Sequence, residues 1–178
     1  QLVFCSSTLD ERKVNIALFR SLYKNGDKTG FQKELDSLLQ SSPDDPAPLI
    51  ALVGLLKDDK LWNEIKQHAL DWFREHPEDS RTLIIISDGL TFTEDTQAQK
   101  TAEDLLRAVL ANHPNSLPAM NSLAMLLQVT GRPAESAALY QQILTIQPDN
   151  KVAINNLAWA LCEEQGKHQQ AFDLAQRG

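Results

Sequence analysis

Four histidines, two cysteines and several paired carboxylates are the residues of this 178-residue chain that could do chemistry. A metal site needs three or four such ligands brought together, usually announced by short spacings between Cys and His. Cys5 and Cys162 lie at opposite ends of the chain and read as free thiols. His68 and His168 have no Cys or His at ligand spacing and are expected on the surface. His76 and His113 each stand directly before a proline, where a basic ring complements the negative end of a helix. The acidic pairs Asp44-Asp45, Asp58-Asp59, Glu94-Asp95 and Glu163-Glu164 fall at expected helix starts and turns. Acids there cap backbone N–H groups or sit favourably in the helix dipole. With no glycine-rich phosphate loop, nucleophile elbow or zinc motif in addition, the expectation is a chain that is not an enzyme and holds no cofactor or metal.

The elements around these residues must therefore be read for binding. Hydrophobic residues make up 42% of the chain and charged residues 23%, a globular balance too apolar for disorder. The formal net charge of −7 opposes a phosphate backbone, so nucleic acid is excluded as a partner. No apolar run approaches the roughly 20 residues needed to span a bilayer, so no membrane insertion is expected. The localisation this allows is soluble, cytoplasmic or periplasmic. Because it starts at Gln1 without a Met and stops at Gly178 inside a helix-like run, the chain reads as an excised fragment, whose targeting signals, if any, were cut away.

Prolines supply a ruler. Ser42-Pro43-Asp44, His76-Pro77-Glu78, His113-Pro114-Asn115 and Gln147-Pro148-Asp149 are alike, and their prolines lie 34, 37 and 34 residues apart. Proline is disfavoured inside helices, so each marks a helix end and each interval should hold one helical hairpin. With Pro148 at place thirty-two, Leu123, Ala124 and Leu127 fall at places seven, eight and eleven of a first helix, on one face. Gly131 falls at place fifteen, the turn, and Ser136, Tyr140, Ile143 and Leu144 form the stripe of a second helix. The last repeat places Leu157, Ala158 and Leu161, then Gly166 one residue late, then Ala171. Projected backwards, the frame takes in Leu18, Leu22, Gly26, Phe31, Leu35, Leu38 and Leu39. Next come Leu52, Val53, Leu56, Ile65, Ala69, Trp72 and Phe73, then Ile86, Ser87, Leu90, Ala102, Leu106, Val109 and Leu110. The third repeat lacks a turn glycine and carries three extra residues around Thr93-Glu94-Asp95-Thr96-Gln97, read as a longer turn with Thr93, Asp95 and Thr96 as caps.

This alternation of large, small and aromatic places around a turn glycine resembles the tetratricopeptide repeat (TPR) of bacterial and other proteins. The resemblance implies an all-α fold, a right-handed superhelical solenoid of antiparallel helix-turn-helix repeats. The expected organisation is a lead-in segment, 1–11, followed by one array over 12–178, with repeats at 12–45, 46–79, 80–116, 117–150 and a truncated 151–178. Lacking a capping helix, the last repeat should leave Leu161, Phe172 and Leu174 as an exposed apolar edge or buried by another copy.

In this family first-helix places two, five, nine and twelve line the concave groove. Place five reads Ile16, Ile50, Ile84, Asn121 and Asn155; place nine reads Arg20, Gly54, Asp88, Met125 and Trp159. Place two reads Lys13, Ala47, Arg81, Pro118 and Val152. Apolar residues off the core stripe call for an explanation, because a solvated helix face is normally polar. The resemblance thus implies a protein–protein interaction scaffold that takes a peptide or helix of a partner in its groove. The partner-binding candidates are Arg20, Ile50, Ile84, Asp88, Asn121, Met125, Asn155 and Trp159. Isoleucines at place five do not match the basic clamp by which some members hold a chaperone's C-terminal carboxylate. Asn156 resembles the asparagine ladder of O-linked N-acetylglucosamine transferase arms, but Ser122 holds the matching place one repeat earlier. Two alternatives stand beside the scaffold: the substrate-presenting arm of a larger enzyme such as a glycosyltransferase, and a self-assembling homo-oligomer module.

Overall fold

The computed structural model describes residues 21–27, 29–31, 33, 34, 37, 44–163 and 167–175. The fold is all-α, a solenoid of helical repeats, with no strand among the described residues. Two compact units divide it, residues 1–61 and 62–178.

In the first unit, residues 21–24 are helical and Gly26 follows with φ of +72°. Tyr23 packs its ring 5.2 Å from that of Phe31 and donates its hydroxyl hydrogen to Asp59 at 2.6 Å. Helix α1, Ala47–Asp58, starts on Pro46, where the missing N–H costs nothing, and the Asp45 carboxylate accepts from the Ala47 N–H. Leu49, Ala51, Leu52, Val53, Leu55 and Leu56 are buried along it. Places seven, eight and eleven of the frame are among them, together with positions the stripe did not include.

The second unit runs α2, Trp62–Glu75; α3, Ser80–Thr91; α4, Thr96–Asn112; α5, Leu117–Val129; α6, Pro133–Ile146; α7, Lys151–Glu163; and α8, His168–Ala175. Consecutive helices α3 and α4, α5 and α6, and α7 and α8 pack as hairpins, while α3 packs on α5 and α2 on α4 across successive hairpins. Each hairpin thus covers what the next cannot bury alone. Ile65, Leu83, Ala98, Ala102, Leu105, Leu106, Val109, Ala124 and Tyr140 are wholly shielded from solvent. A core cluster of Met120, Ala124, Tyr140, Ile143, Leu157 and Leu161 joins the last two hairpins. Its alanines, Ala124, Ala137, Ala153, Ala160 and Ala171, let helix backbones approach closely.

Helix starts are capped where the sequence offers a short acid or hydroxyl. Asp79 accepts from the Thr82 N–H, Asp95 from those of Gln97 and Ala98, and Ser116 from that of Ala119. Burial alone would raise the Asp79 carboxyl. Hydrogen bonds from Thr82 and from the Trp72 indole outweigh it and hold the group below the ordinary carboxylate value. His76 stacks on the Trp72 ring and its Nδ1–H meets the Trp72 carbonyl at 3.1 Å, so it caps its own helix end. His113 behaves differently. Its Nε2–H reaches the Pro77 carbonyl at 2.6 Å, a tie to the turn one repeat back and not to its own last turn. Among the longer-turn residues, Asp95 caps α4, Thr93 bonds the Leu90 carbonyl, and Thr96 is already helical.

Candidate functional site

Helices α5 and α7 carry equivalent places of adjacent repeats, and their exposed faces converge. Met125, Gln128 and Val129 from α5 and Asn155, Asn156 and Trp159 from α7 line one open depression of about 330 Å³. Trp159 is 63% exposed and Val129 44%. An indole in so open a position contributes little to a core, and two large apolar groups side by side form a patch that water covers poorly. The polar edge is made of amides. Asn156 donates from Nδ2 to the Tyr140 hydroxyl at 3.2 Å, and Asn155 donates from Nδ2 to Asn156 Oδ1 at 3.3 Å. Burial pushes the Tyr140 hydroxyl up from its ordinary pKa, so it stays protonated across the physiological range.

Of the eight candidates from the sequence, three come together. Met125, Asn155 and Trp159 share the depression. Asn121 does not join them. It lines a neighbouring depression of about 430 Å³ with Leu117, Pro118, Ile143, Gln147, Asn150 and Val152, because place five lies about a turn nearer the start of α5 than Met125. In α3, Ile84 is half-buried and Asp88 exposed, so one leans toward the core and the other toward water. Ile50, 37% exposed, belongs to the first unit. Arg20 falls outside the described residues, as do Lys13, Ile16, Gly166 and Cys5.

Gln128 and Val129 were missed. Place twelve of the frame is Gln128, so the register already pointed to it; Val129 closes α5 and reads from sequence as ordinary core. The expected terminal edge is also corrected in part. Leu161 is only 5% exposed, because α8 folds back over it and Ala171 packs in the same cluster. Phe172 is 59% exposed and Leu174 half-buried.

Among the described residues no group of three or more His, Cys, Asp or Glu is placed to hold a metal ion. None of their helices is long and apolar enough to cross a membrane. The charged groups that do cluster are structural. Glu103 of α4 pairs with Arg107 and with Arg132 of the α5–α6 turn, and Asp104 pairs with Lys66 and Lys100.

Two family models described as tetratricopeptide repeat match residues 119–147 and 139–173, which hold the depression. The chain is a tetratricopeptide-repeat protein. A relative by sequence, the uncharacterized protein y4yS of Sinorhizobium fredii, is 31% identical over 103 residues, 56% of this chain. That match spans 53% of y4yS, about half its length. Among solved structures, a crystal structure of MamA superposes with a TM-score of 0.58 at 15% identity, covering 93% of this chain and 88% of that one. MamA from residue 41 to the end, from Desulfovibrio magneticus RS-1, gives 0.56 at 15% identity, covering 94% and 93%. Identity that low speaks to the fold alone. As a TPR protein the chain is in general a protein-interaction scaffold, of a fold that is generally non-catalytic.

Proposed function

We propose that this TPR array binds a peptide or helix of a partner protein in the depression between α5 and α7, with Trp159 and Met125 as apolar anchors and Asn155 as a polar one. The single observation that carries this reading is the open Trp159 indole, 63% exposed, beside Val129 in a concave site edged by amides. Large aromatic side chains at the centre of a concave patch are where binding energy concentrates. Of the other candidates, Asn121 would extend the contact along α5, while Ile50, Ile84, Asp88 and Arg20 would serve only a longer partner segment.

The test is Trp159→Ala. It should weaken capture of a bound peptide by about 2 kcal/mol, whereas Thr145→Ala on the exposed side of α6 should change affinity by less than about 0.5 kcal/mol. A melting curve for each variant separates lost binding from lost folding. Unchanged affinity in a normally folded Trp159→Ala protein would rule this site out.

A further inference from the structure

The polar edge of the depression is anchored in the core. Tyr140 has no exposed surface, and its hydroxyl is met by Asn156 Nδ2. Asn156, half-buried, turns Oδ1 the other way, where it accepts from Asn155 Nδ2. The two carboxamides are coupled: the Tyr140 hydroxyl, which can donate or accept, ties down Asn156, and Asn155 must present to Asn156 the end that complements it. Among the described residues nothing else engages the Asn155 carboxamide. It thus offers Oδ1 as an acceptor and its second Nδ2 hydrogen as a donor, the complement of the N–H and C=O of an extended backbone residue.

Charge defines the rest. None of the six lining residues is charged. Helix α5 has no charged residue at all, and α7 has only Lys151 and Glu163 at its two ends. In a chain of net charge −7 with 23% charged residues, this stretch is exceptional. A charged group entering it would lose hydration and find no counter-charge, which is costly. Met125 and Val129 instead suit an aliphatic side chain.

We propose that the depression takes an uncharged stretch of extended peptide, with Asn155 pairing with its backbone and with Tyr140 and Asn156 as positioning residues for that carboxamide. This rests on the peptide-binding reading above and adds the chemistry of the partner and the relay that selects it.

The experiment pans a phage library of random dodecapeptides on the whole chain and retests the binders on Trp159→Ala. Binders lost in that variant should lack Asp, Glu, Lys and Arg in their contacted stretch. Their affinity should change less than about twofold between roughly 50 and 500 mM NaCl. N-methylating each peptide bond in turn should find one that weakens binding about tenfold. That loss should vanish in Asn155→Ala and shrink in Tyr140→Phe, a pattern a purely structural tyrosine would not give. Asn156→Ala, at a half-buried position, supplies the same comparison should Tyr140→Phe fold poorly. Trp159-dependent binders that are charged and salt-sensitive, or an N-methyl effect equal in all variants, would overturn this proposal and leave the binding site standing. Binders indifferent to Trp159→Ala, or Trp159-dependent binding of a glycan and of no peptide, would overturn both.

Discussion

Two helix ends of this chain close with the same backbone and different residues at its most demanding point. After α5, Gly131 has φ of +76°, its N–H bonds the Gln128 carbonyl at 3.1 Å and the Arg132 N–H bonds that of Leu127 at 2.8 Å. After α1, Lys60 has φ of +58°, its N–H bonds the Lys57 carbonyl at 3.1 Å and the Leu61 N–H bonds that of Leu56 at 2.9 Å. This paired pattern is the Schellman closure of a helix, whose left-handed residue is normally glycine because a Cβ is strained there. Gly26 closes the turn of the first expected repeat in the same way. Lysine at place fifteen shows that the closure does not require glycine. Glycine makes it easier but does not create it. A repeat can therefore lose its most recognisable residue and keep its shape. The turn between α3 and α4 goes further, with no left-handed residue among Phe92–Asp95 and closure by side chains instead: Thr93 on the Leu90 carbonyl, Gln99 on that of Thr93, and Asp95 capping α4.

Breaking the glycine turn should have the largest effect. Gly131→Ala meets no neighbour within 4 Å, so its whole cost is backbone strain, about 1–2 kcal/mol, read as a lower midpoint in urea. A smaller loss is expected where side chains close the turn: Asp95→Ala removes the cap on α4 and should cost about 1 kcal/mol in the same titration. Lys60→Gly should act in the opposite sense. Relief of strain is partly offset by the greater freedom of glycine in the unfolded chain, leaving a gain of about 0.5 kcal/mol. No gain would mean that Lys60 is held by its own contacts and not merely tolerated.

The smallest effect depends on pH and also arises from the glycine turn, which aims Arg132 at Glu103 of the preceding hairpin at 2.8 Å. Burial raises the Glu103 carboxyl, but bonds from Arg107 and Arg132 prevail and hold it below its ordinary value of 4.5. A carboxyl depressed in the folded state stabilises above its unfolded value, and that contribution is lost as pH falls through the folded one. Melting temperature should thus drop more steeply in the parent chain than in Glu103→Gln as pH falls from about 5 to about 3. Parallel curves would show that the pairs contribute nothing net.

Register was the most legible part of this molecule. Leu123, Ala124, Leu127, Tyr140, Leu157 and Ala158 are all buried where a 34-residue frame puts them, because a stripe shared by stacked hairpins tolerates little drift. The depression was legible only in part. Place nine named Met125 and Trp159 together, but place five linked Asn121 to Asn155, and those two line separate hollows. Nor could the frame show that Asn156 turns inward to Tyr140 and thereby orients Asn155, since direction of a side chain is set by its neighbours in space. In the run Leu83-Ile84-Ile85-Ile86 every side chain is apolar and periodicity is silent. Leu83 and Ile86 are buried, whereas Ile85 is 44% exposed.

The uneven shielding of the three tryptophans has an optical consequence. Trp72 is 6% exposed with its indole N–H bonded to Asp79, Trp62 is partly shielded, and Trp159 is 63% exposed in the depression. Red-edge excitation would favour the indole with the wettest surroundings, so emission from this chain carries a native dye at the place where a ligand would settle. A blue shift during titration, absent from Trp159→Ala, would follow occupancy in real time without any attached label.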